Sequence, residues 1–345
     1  MKTPKQFPSL PLLAAISLGV TAFTAPAEAL SPPVEEEAAV KLTVKADRPL
    51  LDQAAGPQEV IVRIDVEGCR IPHSTERAPL NLAVVLDRSG SMSGAKLEQA
   101  RQAAEMLVDR LGPDDVFSLV IYDTEVEVLV PAQKVRGKAD SIRRKIRRIE
   151  SGGSTALYSG VHRGGQQLDE FFNDERINRI LLLSDGIANV GPSSNREIAQ
   201  LGQRLARQGR SVTTIGLGDD YNEDLMTALA EASDANYYYV ADVEALPQVF
   251  ESELGELQSV IARRLELEIT FPEGVEPLEI LGRPGAIENR RGKVVFGSLA
   301  AEQNRELYVA CRIDPAQVAD VAQSLARTRL NYADAKNREV SLTRE

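Results

Sequence analysis

The chain has 345 residues, more than one ordinary hydrophobic core accommodates, so two domains are expected. Its 40 Lys and Arg stand against 51 Asp and Glu, a formal charge of −11 that argues against nucleic acid or an anionic membrane as partner. Hydrophobic residues make up 43%, an ordinary globular share.

Residues 1–29 read as a secretory signal peptide. Lys2 and Lys5 precede the apolar segment Leu10 to Phe23, and Ala27-Glu28-Ala29 is a small-x-small cleavage site. The segment is short and interrupted by Pro11, which disfavours a membrane anchor. No cysteine lies near the cleavage site, so a lipid anchor is not indicated, and no later run is long enough to span a bilayer. The expected location is outside the cytoplasm, secreted or periplasmic. Residues 30–39, rich in proline and glutamate, read as a disordered lead.

Residues 40–75 begin a β unit. Val40 to Val44 and Val60 to Val66 alternate apolar and polar positions, as strands with one buried face do, with Gly56-Pro57 in the loop between them. After a polar connector, Pro72 to Pro79, the pattern changes. Leu80 to Leu86 is apolar on both faces, the mark of a buried strand in a parallel sheet. It ends at Asp87, followed by Arg88-Ser89-Gly90-Ser91-Met92. In extended chain, residues two apart point the same way, so Asp87, Ser89 and Ser91 can aim oxygens at one point. One carboxylate with two hydroxyls suits a hard divalent cation, Mg2+ before Zn2+. The competing reading is that the hydroxyls only cap the helix that follows.

That helix carries Leu97, Ala100, Ala104, Leu107, Val108 and Leu111 at helical spacing and stops at Gly112-Pro113. The strand Val116 to Tyr122, a short edge strand from Glu125 to Val130, and a basic helix over 138–150 come next. The arginines of that helix interleave with Ile142, Ile146 and Ile149, which predicts a solvated face and not a binding patch. Gly152-Gly153-Ser154-Thr155 leads to a helix from Ala156, and Arg179 to Leu183 is a second solid strand, ending in Ser184-Asp185-Gly186. A helix over 194–209, the strand Val212 to Gly216, a helix over 222–233, the strand Tyr237 to Val240, and a last helix from Val243 to Ala262 complete the series. Strand–helix alternation on this scale predicts an α/β fold with a doubly wound, mostly parallel sheet and helices on both faces.

Asp87-Arg88-Ser89-Gly90-Ser91 resembles the DxSxS motif of the von Willebrand factor A (VWA) domain and its metal-ion-dependent adhesion site (MIDAS). Gly152-Gly153-Ser154-Thr155 and Leu181 to Gly186 follow in the order in which that family places its remaining metal ligands. The resemblance covers about residues 80–250. It implies a site of five side chains, Asp87, Ser89, Ser91, Thr155 and Asp185, holding Mg2+ (or Mn2+ or Ca2+). It further implies a protein partner whose acidic side chain completes the metal's shell. A role as a non-catalytic subunit of a larger enzyme or chelatase-like complex is the alternative.

Residues 263–345 return to alternation, in Leu265 to Phe271, Val294 to Phe296, Leu307 to Cys311 and Val340 to Glu345. The chain ends within that last pattern, as an edge strand or an incomplete C-terminus would. Too few strands stand at either end for a separate sheet. The expected remedy is a small β-sandwich built from both ends (40–75 and 263–345), with a VWA domain over 76–262 inserted between them. Cys69 and Cys311 would then share that small domain, as a disulfide or as two buried thiols.

Enzyme chemistry finds little support. Gly90-Ser91-Met92-Ser93-Gly94 has Met92 where a nucleophile elbow needs its nucleophile. His73 and His162 are the only histidines, and both are expected to face solvent. The acidic stretch Gly218 to Asp224 lacks the spacing of an EF-hand loop and reads as a helix start capped by Asn222 or Asp220. The expected function is an extracytoplasmic, metal-dependent protein-binding module without turnover of its own.

Overall fold

The structure, a computed structural model, describes residues 39–48, 51–52, 56–70, 77–185, 188–218, 221–315 and 324–345. The signal peptide, nearly all of the lead, His73, Gly186 and Asp220 lie outside the described residues. Strands β1 (Val40–Ala46) and β2 (Gln58–Gly68) precede β3 (Leu80–Asp87), α1 (Ala95–Arg110), β4 (Val116–Tyr122), β5 (Val126–Lys134) and α2 (Ala139–Ile146). Next come α3 (Leu157–Leu168), β6 (Ile177–Ser184), α4 (Asn195–Arg207), β7 (Ser211–Leu217), α5 (Glu223–Ala232), β8 (Tyr237–Val240) and α6 (Leu246–Gln258). The rest is strand: β9 (Val260–Thr270), β10 (Val275–Leu281), β11 (Ala286–Glu288), β12 (Arg291–Ala300), β13 (Asn304–Ile313), β14 (Arg327–Asp334) and β15 (Glu339–Arg344).

The central sheet has six strands in the order β5-β4-β3-β6-β7-β8, all parallel except the antiparallel edge β5. Strand alternation explains why β3 is apolar throughout. Leu80, Leu82, Val84 and Leu86 pack with α1, α2 and α6, while Ala83 and Val85 pack with α3, α4 and α5. Helix starts are set locally. Ser194 and Glu197 form a reciprocal capping box at α4, and Asn222 accepts from the Leu225 N–H at 3.1 Å to cap α5. Order reverses between β3 and β6, so this sheet's switch point lies at the ends of those two strands.

Both chain ends build the β-sandwich. One sheet runs β1-β2-β13-β10 and the other β11-β12-β9-β14-β15. Strand β2 pairs with β13 from Glu67–Asn304 to Gln58–Ile313, so N- and C-terminal segments share one sheet. Val60, Val62, Ile64 and Val66 from the first segment meet Leu265, Leu267 and Ile269 from the last in a common core. The doubly wound domain is inserted between them, and all described residues belong to one compact unit.

Several expectations need correction: β5 runs on to Lys134 instead of stopping at Val130, and the basic helix stops at Ile146 instead of continuing to 150. The last helix stops at Gln258 instead of continuing to Ala262, because Val260 and Ala262 already pair with Ala300 and Leu299 as the start of β9. The disulfide is not formed: Cys69 and Cys311 are both free thiols. Cys311 pairs with Val60 near the start of β2, whereas Cys69 follows the last residue of that strand. Nine residues of strand put roughly 30 Å between them, against the ~7 Å that a disulfide tolerates.

Candidate metal centre

The site grows from the C-terminal ends of β3 and β6. The Asp87 carboxylate accepts from the Ser89 N–H at 2.8 Å through one oxygen and from Ser184 Oγ at 2.6 Å through the other. The chain then makes a single 3-10 turn, Gly90–Met92, pinned by the buried Met92 side chain. This turn lifts Ser91 across to β6. Ser91 Oγ lies 3.2 Å from Ser89 Oγ and donates to Asp185 Oδ1 at 2.8 Å. Asp87, Ser89, Ser91 and Asp185 are thereby linked across the switch point.

Neither serine caps α1. Its N-cap is Gly94, at φ +79°, with no side-chain cap, and the 3-10 turn likewise has none. The capping explanation of the hydroxyls fails, leaving them turned toward the carboxylates.

Thr155 arrives on the glycine loop, which is stitched to the first loop by its backbone. The Gly152 N–H donates to Arg88 O at 2.8 Å and the Gly90 N–H to Gly153 O at 3.1 Å. Gly153 has φ +72°, and a Cβ there would stand 2.8 Å from Thr124 Oγ1, so no other residue closes the loop this tightly. The Thr155 N–H donates to Asn189 Oδ1 at 2.9 Å, and Thr155 O accepts from Asn189 and Val190. Among the described residues, no hydrogen bond joins the Thr155 hydroxyl to the other four side chains.

Asp87, Ser89, Thr155 and Asp185 are buried, and Ser91 alone is exposed. Burial pushes the Asp87 carboxyl above the ordinary carboxylate range, and the charge of Asp185 adds to this, while the Ser184 and Ser89 hydrogen bonds oppose it. Beneath the site, burial and the Asp87 charge also push the Tyr122 hydroxyl up.

Lys96 is the participant that motif reading passed over. Its ammonium forms a close ion pair with Asp185 Oδ2. A lysine in the first turn of a helix sits against the positive end of the dipole, and that position signals a local anion. Asn189, which positions Thr155, and Ser184, which holds Asp87, were also missed as members of the site. His162 is exposed on α3, as expected.

The donor chemistry fits a hard cation. Two carboxylates and two hydroxyls are gathered at one point, with no histidine or thiol among them, and Thr155 stands on the adjoining loop. No cluster of three His, Cys, Asp or Glu exists among the described residues, so hydroxyls have to supply the balance.

A doubly wound sheet with this cluster at its switch point is the architecture of the von Willebrand factor type A domain, and the model of that domain matches residues 81–252. The chain belongs to the von Willebrand factor type A domain proteins, a family of protein-interaction and adhesion modules. It is similar to the Synechocystis protein sll0103, with 28% identity over 85% of this chain and 70% of that one. It is also similar to the E3 ubiquitin-protein ligase WAV3 of Arabidopsis thaliana, with 27% identity over 90% of this chain but only 39% of the relative. A von Willebrand factor type A protein from Catenulispora acidiphila shares the fold, with a TM-score of 0.70 and 15% identity over 88% of this chain and 72% of that one.

Proposed function

We propose that the protein is an extracytoplasmic, non-catalytic module that binds a protein partner through Mg2+ held by Asp87, Ser89, Ser91, Thr155 and Asp185. The observation that carries this reading is the linkage of Ser91 to both Ser89 and Asp185 across the strand-order reversal. When bound, a divalent cation supplies a Lewis-acidic point with a coordination position open to a carboxylate oxygen. The chain's own residues do the rest. Ser184 and the Ser89 backbone orient Asp87, the glycine loop sets the height of Thr155, and exposed Ser91 marks the face open to a partner. Two carboxylates leave a bound dication with little surplus negative charge around it, so an acidic partner is attracted. The N-terminal pattern, Lys2 and Lys5 before Leu10 to Phe23 and Ala27-Glu28-Ala29, supports a location outside the cytoplasm.

The test is capture of partners from the secreted or periplasmic fraction by the full mature chain, with Mg2+ and with chelator. The reading requires a partner retained with Mg2+, released by chelator and lost with Ser91→Ala. Retention indifferent to both would refute it.

A further inference from the structure

The other end of the central sheet, away from the candidate metal centre, faces the sandwich. A cleft of about 670 Å3 opens between the first residues of β6 and β7, the end of α4, and strands β9 and β12. Arg179, on its wall, precedes Asp185 by six residues of strand, so roughly 20 Å separates the cleft from the candidate metal centre.

Positive charge dominates its lining. Arg176, Arg179, Arg207, Arg263 and Arg264 face it, against Asp174, Asp234 and Glu266. Two of those acids are already engaged by cations outside the lining, Asp234 by Arg283 and Glu266 by Lys293 at 2.6 Å. The arginines, in contrast, spend many of their hydrogen bonds on neutral acceptors. Arg263 donates to the carbonyls of Asp174, Glu175 and Asp334, and Arg176 to those of Leu80 and Asp114. Arg179 donates to the Thr213 hydroxyl at 3.1 Å and stands 3.8 Å from Glu253. Arg263 and Arg176, held by carbonyls, keep their charge, whereas Arg179 has Glu253 nearby and Arg264 pairs with Glu339.

Arg179 and Arg263 are 3% and 5% exposed, and the Nε of each is buried without a hydrogen-bond partner. A buried N–H without an acceptor is a standing cost that an anion in the cleft would remove. The same cleft presents carbon: Phe172 is 37% and Val295 59% exposed, unusual for large apolar side chains here.

We infer that this cleft binds a small organic anion, with its carboxylate or phosphate head against Arg179 and Arg263 and its apolar body against Phe172 and Val295. The volume lies in the range of small-molecule sites, which favour junctions between domains. The ligand would touch both the inserted domain and the sandwich, so its binding should raise the melting temperature.

Calorimetry and thermal melting of the full mature chain with four probes test the site. Phenyl phosphate and 3-phenylpropionate carry the two head groups, 3-phenylpropanamide is the neutral counterpart, and inorganic phosphate lacks the apolar body. At least one aryl anion should bind, about tenfold or more tighter than the amide and than inorganic phosphate, and the better of the two identifies the head group. Val295→Glu, at an exposed strand position on the mouth, and Arg207→Glu, at the exposed end of α4, should each weaken binding by about tenfold while leaving Mg2+ affinity unchanged. Absence of binding by both aryl anions, equal binding of the amide or of inorganic phosphate, or wild-type affinity in both variants would overturn the proposal.

Discussion

Lys96 bears on the candidate metal centre at the scale of one residue. Its ammonium pairs with the Asp185 carboxylate, so the cation proposed for this site would compete with the lysine and have to displace it. Lys96→Met should tighten Mg2+ binding by roughly tenfold, because like charges at such separation repel strongly in a partly buried site. The same substitution should lower the melting temperature without metal, since it leaves a buried carboxylate unpaired. Calorimetry and melting of one sample check both, and unchanged affinity would show that Lys96 does not compete. The thiols give a second test. Burial pushes the Cys311 thiol up to about 12, whereas Cys69 is half-buried at the end of β2. A thiol reagent at pH 8 should therefore modify Cys69 in the native protein and Cys311 only after unfolding. Two protected sulfurs that appear only on reduction would restore the disulfide.

At the scale of elements, the sheet and α3 meet without room to spare. A Cβ on Gly164 would stand 2.5 Å from Val85 Cγ2, one turn beyond where Gly160 faces the Tyr122 ring at 2.8 Å. Gly164→Ala should destabilise the domain by about 1–3 kcal/mol through overpacking, offset in part by the better helix propensity of alanine. Urea denaturation measures it, and a variant more stable than wild type would contradict this packing. Elements with solid apolar runs were legible before the structure: β3, β4, β6 and β7 announce themselves by burial on both faces. Strand β14 was not, because the polar Thr328 takes an inward place and leaves only Leu330 and Tyr332 to carry the alternation. Glutamates and Pro277 hid β10 in the same way. The α6–β9 boundary was misplaced because Val260, Ile261 and Ala262 suit a helix as well as a strand, and only pairing with β12 decides. Within the site, the motif supplied ligand types and spacing. It could not supply the burial of Asp87, or Lys96, whose role depends on β6 lying beside β3.

For the whole molecule, the inserted domain and the split sandwich make the two chain ends interdependent. A fragment of residues 77–345 lacks β1 and β2, which leaves β13 as a raw edge and exposes Leu307, Val309 and Ile313. Such a fragment should aggregate or melt without cooperativity, whereas the mature chain should unfold in a cooperative transition. Sedimentation and calorimetric melting separate these outcomes, and a fragment as soluble and cooperative as the mature chain would count against the shared sheet. The insertion also puts the candidate metal centre and the arginine-lined cleft at opposite ends of one sheet, the cleft on the side of the sandwich.

The central claim is that these oxygen donors bind a divalent cation, and titration of Mg2+ into the mature protein tests it most directly. Wild type should bind a single equivalent. Ser91→Ala, which removes an exposed hydroxyl and leaves the buried Asp87 network intact, should weaken binding by at least about tenfold. Equal Mg2+ affinity in wild type and Ser91→Ala, or no binding by wild type, would contradict the account.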